Sequence, residues 1–368
     1  MEAAAPSNDP SLPASPGRML PPSVPIAESP SSDKAEAMAI KEEETEVSIL
    51  ETLDRGYESD ASAEQETDTQ LELELEKERY PGASTWARDE ERLFEILFQR
   101  AERPILPGHW DVDFRGIPML DTVFGTKDHI RPIVYSRSGK DFPATTALLR
   151  LIDLTSSVRT TIQSGLRQKG PPLIKKSLDR YISWAAEDGN YSHLRFVPNM
   201  ITAVLDATLE EHEITSLMEQ RMRALATVQR EFLRVDRDVN FWDAVNASYR
   251  HTNVSISDAL VDKFLGIMNE DSKRRAEGQE EEVIYRRKPP VVYGLFILRS
   301  SAFLLTVDSA KGYDAYVSFH VDMHFMDRHQ SVWNALTVAI AVCLARDQLV
   351  ERMEDFDEWP VLQESDSD

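Results

Sequence analysis

The residues best suited to chemistry lie in a single alternating stretch. His320, Asp322 and His324 sit at i, i+2 and i+4, with Asp327 and His329 close behind. In a strand, such positions project to one face about 6–7 Å apart, so neighbouring side chains can share a metal. Imidazole and carboxylate suit zinc or iron. The same alternation also describes the polar, solvent-facing side of an amphipathic strand. No remote His pair or Cys partner completes a ligand set. The single cysteine, Cys343, lies inside an apolar run and reads as packing. It also excludes a disulfide framework or a Cys-rich zinc module. Glycine-rich phosphate loops and a Gly-x-Ser-x-Gly elbow are absent from the sequence.

The elements that must position these residues follow from periodicity. Val317, Phe319, Val321, Met323 and Phe325 alternate with the polar set, predicting a half-buried strand over 316–325. Val291 to Leu298 is a continuous apolar run suited to a central strand. Ala302 to Val307 predicts its hairpin partner, and Ser331 to Val350 an apolar core helix. Helices are expected from Ser84 or Thr85 to about Glu102, over 144–164, over 173–188 and over 209–234. Arg131 to Arg137 reads as a strand, and 195–205 fits strand or helix. The fold class is therefore mixed α/β.

Charge divides the chain further. The 368 residues carry a formal charge of −23, but residues 1–82 hold −14, 83–350 only −2, and 351–368 hold −7. Nine of the 20 prolines fall within 1–82. Such a segment cannot bury enough apolar surface to offset ordering entropy. The expected organisation is an acidic, Pro/Ser-rich tail at 1–82, an α/β domain at 83–350 with a helical insertion at about 170–285, and an acidic tail at 351–368. No run of 18 apolar residues predicts a membrane span. No basic-then-apolar signal pattern follows Met1, so an intracellular protein is expected. The near-neutral middle does not support strong electrostatic binding of nucleic acid.

Short motifs point to protein partners. Val47-Ser48-Ile49-Leu50 is an apolar island among Glu42, Glu43, Glu44 and Glu46. Such a segment can add as a strand to a partner's sheet edge, and it resembles a SUMO-interacting motif. Ile40-Lys41-Glu42-Glu43 resembles a SUMO acceptor site. The alternative is a solvated acidic linker. Ser59, Ser62, Ser365 and Ser367 stand among acids, where acid-directed kinases act. Lys273-Arg274-Arg275 and Arg286-Arg287-Lys288 are two basic clusters ten residues apart, resembling a bipartite nuclear localisation signal. The alternative is a charged surface loop. The nucleus is the expected compartment, with the cytoplasm as the alternative.

One further stretch carries a family resemblance. Arg131-Pro132-Ile133-Val134-Tyr135-Ser136-Arg137-Ser138-Gly139-Lys140 leads into a helix. It is followed much later by Gly294-Leu295-Phe296-Ile297, Phe303-Leu304-Leu305 and Ser331-Val332. The arrangement resembles the fungal PD-(D/E)XK nuclease-like domain, over about 85–350. The resemblance implies a nuclease-like core in which an Asp and a Glu hold a divalent cation and a Lys helps activate water. Lys140 matches the Lys, but Ser138 occupies the Glu position; the upstream acid would be Asp111, Asp113 or Asp121. Losing a hard oxygen ligand weakens Mg²⁺ binding. The expectation is a non-catalytic nuclear adaptor in a chromatin- or transcription-associated complex, without a cofactor. The alternative is an Mg²⁺-dependent nuclease with a displaced acid.

Overall fold

The computed structural model describes residues 70–125, 131–243, 260–262, 264–265, 283–312 and 315–359. The chain divides into two units, Met1–Glu64 and Gln65–Asp368, and all described residues belong to the second. Helices α1 (Arg88–Phe98), α2 (Asp141–Gln163) and α3 (Gly170–Asp188) precede strand β1 (Met200–Val204). Helix α4 (Glu211–Leu233) follows, then β2 (Val291–Leu298), β3 (Ser301–Asp308), β4 (Ser318–His324) and helix α5 (Ser331–Val350).

The strands form one mixed sheet in the order β1-β2-β3-β4. β1 runs parallel to β2, while β2–β3 and β3–β4 are antiparallel. β2 and β3 are joined by a tight turn in which Arg299 adopts a left-handed φ of 55°. β2 is apolar on both sides because both sheet faces are covered. Val291, Tyr293, Leu295 and Ile297 face the larger core, shared with α1, α2, α3 and α5. Val292 and Phe296 face a second core built on Met222 and Leu225 of α4. The stretch Arg328–Val350 is apolar and long enough to cross a membrane, yet 83% of its most apolar window is buried within this fold. It is the core helix, against which α2 and α3 pack.

Three expectations change. Residues 131–137 form no strand; Ile133 and Val134 donate their N–H groups to the Ile105 carbonyl, and the segment runs irregularly outside the sheet. Pro132 removes one backbone donor from the segment. Packed structure is already present at residue 70, ahead of the boundary at 83. Residues 70–77 are helical, and Leu73 is buried against Ala83, Trp86 and Phe94. Gly82 (φ 80°) lies so close to the Tyr316 ring that a Cβ would sit 2.3 Å from it, which seats this segment on the start of β4. Finally, the strict alternation of 316–325 breaks. Leu304 pairs with Val321 but Leu305 pairs with Phe319, leaving His320 as the extra residue of a β-bulge.

Candidate functional site

The segment that precedes α2 is fastened by a buried charge centre. α5 is almost wholly apolar, but its last turns carry Arg346 and Asp347. The Arg346 side chain is fully buried, and its Nη1 lies 2.8 Å from Oδ2 of Asp188, the last residue of α3. The same Nη1 donates to the Tyr135 carbonyl at 2.8 Å. Its Nε donates to Asp347 Oδ1 at 3.0 Å. Tyr135 donates its hydroxyl to Asp347 at 3.0 Å and accepts a hydrogen bond from Arg131. The guanidinium carbons of Arg131 and Arg346 lie 4.3 and 4.5 Å from the Tyr135 ring centroid.

Asp188 holds the other end. Its Oδ1 accepts from Ser136 Oγ, Ser138 Oγ and Ser138 N at 3.0, 2.7 and 3.1 Å. Its Oδ2 accepts from Arg137 N at 2.8 Å besides Arg346. Burial pushes the Asp188 carboxyl up. The backbone bonds from Arg137 and Ser138, the Ser138 hydroxyl and the Arg346 charge outweigh it and hold the group below its ordinary value. The carboxylate's acceptor positions are taken up by these five protein donors, one of them the buried guanidinium.

The residues that the nuclease resemblance singles out are dispersed around this centre. Lys140 stands at the head of α2 and is exposed. Asp111 and Asp113 lie in the 3-10 helix Gly108–Phe114, and Asp121 in Asp121–Val123, all exposed. The 3-10 helix reaches α2 through His109 Nε2 and Asp141 Oδ2, 3.0 Å apart. Among the described residues no group of three or more His, Cys, Asp or Glu side chains is placed to hold a metal.

The three metal candidates of β4 do not share a face, and the bulge is the reason. His320 turns toward α1 and is buried, while Asp322 and His324 remain exposed on the other side. Asp322 Oδ2 pairs with His324 Nε2 at 2.8 Å, and Ser301 Oγ lies 2.8 Å from His324 Nδ1. Around His320 a second buried polar centre forms. Ala87 N donates to Glu90 at 2.9 Å, and Thr306 Oγ1 donates to Glu90 at 2.6 Å. Thr306 Oγ1 therefore accepts from His320 Nε2, 2.7 Å away. The Trp86 ring lies 5.2 Å from the imidazole, and its Nε1 donates to Ser318 Oγ at 2.8 Å. His320 Nδ1 is buried without a hydrogen-bond partner. Burial lowers the imidazole pKa to about 3, so the ring is neutral. Burial raises the Glu90 carboxyl despite its bonds to Thr306 and Ala87.

Of the partner-binding motifs, Val47, Ile49 and Leu50 lie outside the described residues, as do Lys273, Arg274 and Arg275. Arg286, Arg287 and Lys288 are described, three residues ahead of β2. Sequence reasoning missed Asp188 and Arg346. A charged pair at the end of one helix and inside an apolar one was the available signal. No family model matches the chain, and no curated protein or solved structure matches it either.

Proposed function

We propose that this chain is a non-catalytic adaptor of the nucleus, a binding subunit of a chromatin- or transcription-associated complex built on a nuclease-like α/β frame that has lost its metal chemistry. One observation carries the reading. The acid that stands against the 136–140 segment, Asp188, spends both oxygens on five protein donors, one of them the buried guanidinium of Arg346. A hydrolytic metal centre needs carboxylate oxygens open to a cation and to water. At Asp188 they are closed, and Ser138, which stands where the resembled pattern has a Glu, donates its hydroxyl to that same carboxylate. The mixed sheet covered by helices on both faces supports a scaffold role.

The partners in this reading are proteins, engaged through short segments such as Val47–Leu50. A SUMO-like fold or a subunit of a nuclear complex has the required open sheet edge. The test is direct. Purified protein and its Lys140→Ala variant are incubated with DNA and RNA in Mg²⁺ or Mn²⁺. Neither is expected to cleave. Metal-dependent cleavage that disappears in Lys140→Ala overturns the adaptor reading and establishes a nuclease with a displaced acid.

A further inference from the structure

The described residues after α5 stay on the fold. They run as a strap over residues 351–359, and its anchor is Asp357. Asp357 exchanges both backbone hydrogen bonds with Arg195, at 2.7 and 3.0 Å. Its carboxylate accepts from Trp242 Nε1 at 2.6 Å and from Arg237 Nη2 at 3.1 Å. Arg195 in turn lies over the Trp242 ring at 4.6 Å and the Trp359 ring at 5.5 Å. Phe356 stacks on Phe196 at 5.3 Å.

The part of the strap nearer α5 crosses the second basic cluster. Arg352 Nη1 donates to the Lys288 carbonyl at 2.8 Å. Arg287 Nη1 donates to the Glu351 carbonyl at 2.6 Å, and its Nε lies 3.6 Å from Asp355. The other side of the cluster is held by the end of α4. Arg286 N donates to the Leu233 carbonyl at 2.9 Å, and Val235 N to the Ile284 carbonyl at 3.1 Å. Two buried prolines, Pro289 and Pro290, then lead into β2. Arg286 and Lys288 expose their side chains, but the backbone of 284–288 is committed on both sides.

A receptor that reads a basic peptide in an acidic groove takes it extended and bonds its main chain. We propose that the strap 351–359 is a gate over the Arg287-Lys288 side of this segment: it holds the Arg287 side chain and the Lys288 carbonyl, and its local release is required before Arg286-Arg287-Lys288 can be taken by an acidic-grooved import receptor. The choice of receptor rests on the nuclear reading above; the gate itself rests on the contacts alone. Local opening of this kind exposes a segment without unfolding the core.

The test compares the full chain with Asp357→Asn and with Arg352→Ala. Native trypsin digestion reports opening through cleavage after Arg286 and Arg287, the Lys288–Pro289 bond being resistant to trypsin. Loss of a charge-assisted anchor is expected to speed that cleavage about tenfold. Cleavage after the buried Arg346 and the thermal midpoint monitor the core and are expected to change far less. Wild-type cleavage after Arg286 and Arg287 as fast as in both variants overturns the gate. Binding of a purified import receptor, expected to tighten about tenfold in the variants, is the second readout. Faster cleavage with no receptor binding by any form leaves the strap standing as a cover and overturns its link to import.

Discussion

Two buried polar centres flank the core of this protein, and they handle the cost of burial in opposite ways. At the first, Arg346 and Asp188 keep their charges, with side chains 0% and 2% exposed. At the second, His320 surrenders its charge to burial, and it shares Thr306 with Glu90 in a chain of neutral or charge-averse groups. Desolvating an ion costs several kcal/mol, so a charge persists inside only when paired and fully hydrogen-bonded. Asp188 meets that condition with five donors; Arg346 donates from Nη1 and Nε, while its Nη2 is held by the ion pair with Asp347 at 2.9 Å without a hydrogen bond. His320 has one bond and an orphaned Nδ1. The first centre joins three elements remote in sequence: the 131–140 segment, the end of α3 and the end of α5. The second joins α1 and the N-terminal segment to the edge of the sheet. The difference separates a charged clasp from a joint built on an uncharged imidazole.

The sharpest way to break this contrast is to remove the Arg346 charge. Arg346→Met leaves Asp188 buried and unpaired, with an expected loss of about 4 kcal/mol in urea unfolding. Adding Asp188→Asn should restore part of it, with a coupling of at least about 1 kcal/mol. Additive losses would show that the pair does not act as a unit. The pH dependence carries the same sign information. The Asp188 pKa is depressed in the fold, so its contribution is present at neutral pH. It is complete above the ordinary carboxylate value and is lost as pH falls through the depressed one.

The first centre was partly legible in the sequence and the second was not. The apolar run of 331–350 announced α5, and the periodicities announced α2, α3, α4, β2 and β3. Residues 131–140 drew notice as a motif, yet their extended look came from Pro132 and two β-branched residues rather than from a ladder. What holds them is Asp188, about fifty positions onward, and no local pattern encodes that contact. His320 was misplaced because alternation presumes a regular strand. One extra residue opposite Leu304 and Leu305 reversed its direction. The strap was hidden by composition: residues 351–359 look like an acidic tail until Asp357 is seen to need Trp242 and Arg237.

A smaller effect tests the second centre. The His320 pKa falls from 6.5 to about 3 in the fold. The unfolded chain therefore binds a proton that the native chain refuses, and stability drops as pH falls below 6.5. The expected contribution is about 2 kcal/mol between pH 6.5 and 5. Of the charged groups about this centre, Glu90 opposes the trend. Its carboxyl is raised, so its contribution is largest at low pH and lost as pH rises through the raised value. Asp308 raises that carboxyl further and Lys311 lowers it. His320→Gln keeps a donor toward Thr306 and removes the titrating site. The difference between variant and wild-type stability curves should then isolate the His320 slope. A variant curve parallel to wild type from pH 6.5 to 5 would refute a buried neutral imidazole.

The smallest effect asks whether the joint can open alone. Trp86 donates to Ser318 and packs on His320, Phe94 and Tyr80. Trp86→Phe keeps most of the ring contact and deletes one hydrogen bond, for an expected loss of about 1 kcal/mol. The bond ties the N-terminal segment to β4, whereas the Arg346 centre ties core elements to one another. If the two centres belong to separate cooperative units, the loss should register locally. Tryptic nicking after Lys77 and Arg79 should accelerate about fivefold. The global thermal midpoint should move by only about 2 °C. A midpoint that falls as far as in Arg346→Met would merge the centres into one unit and remove the distinction between clasp and joint.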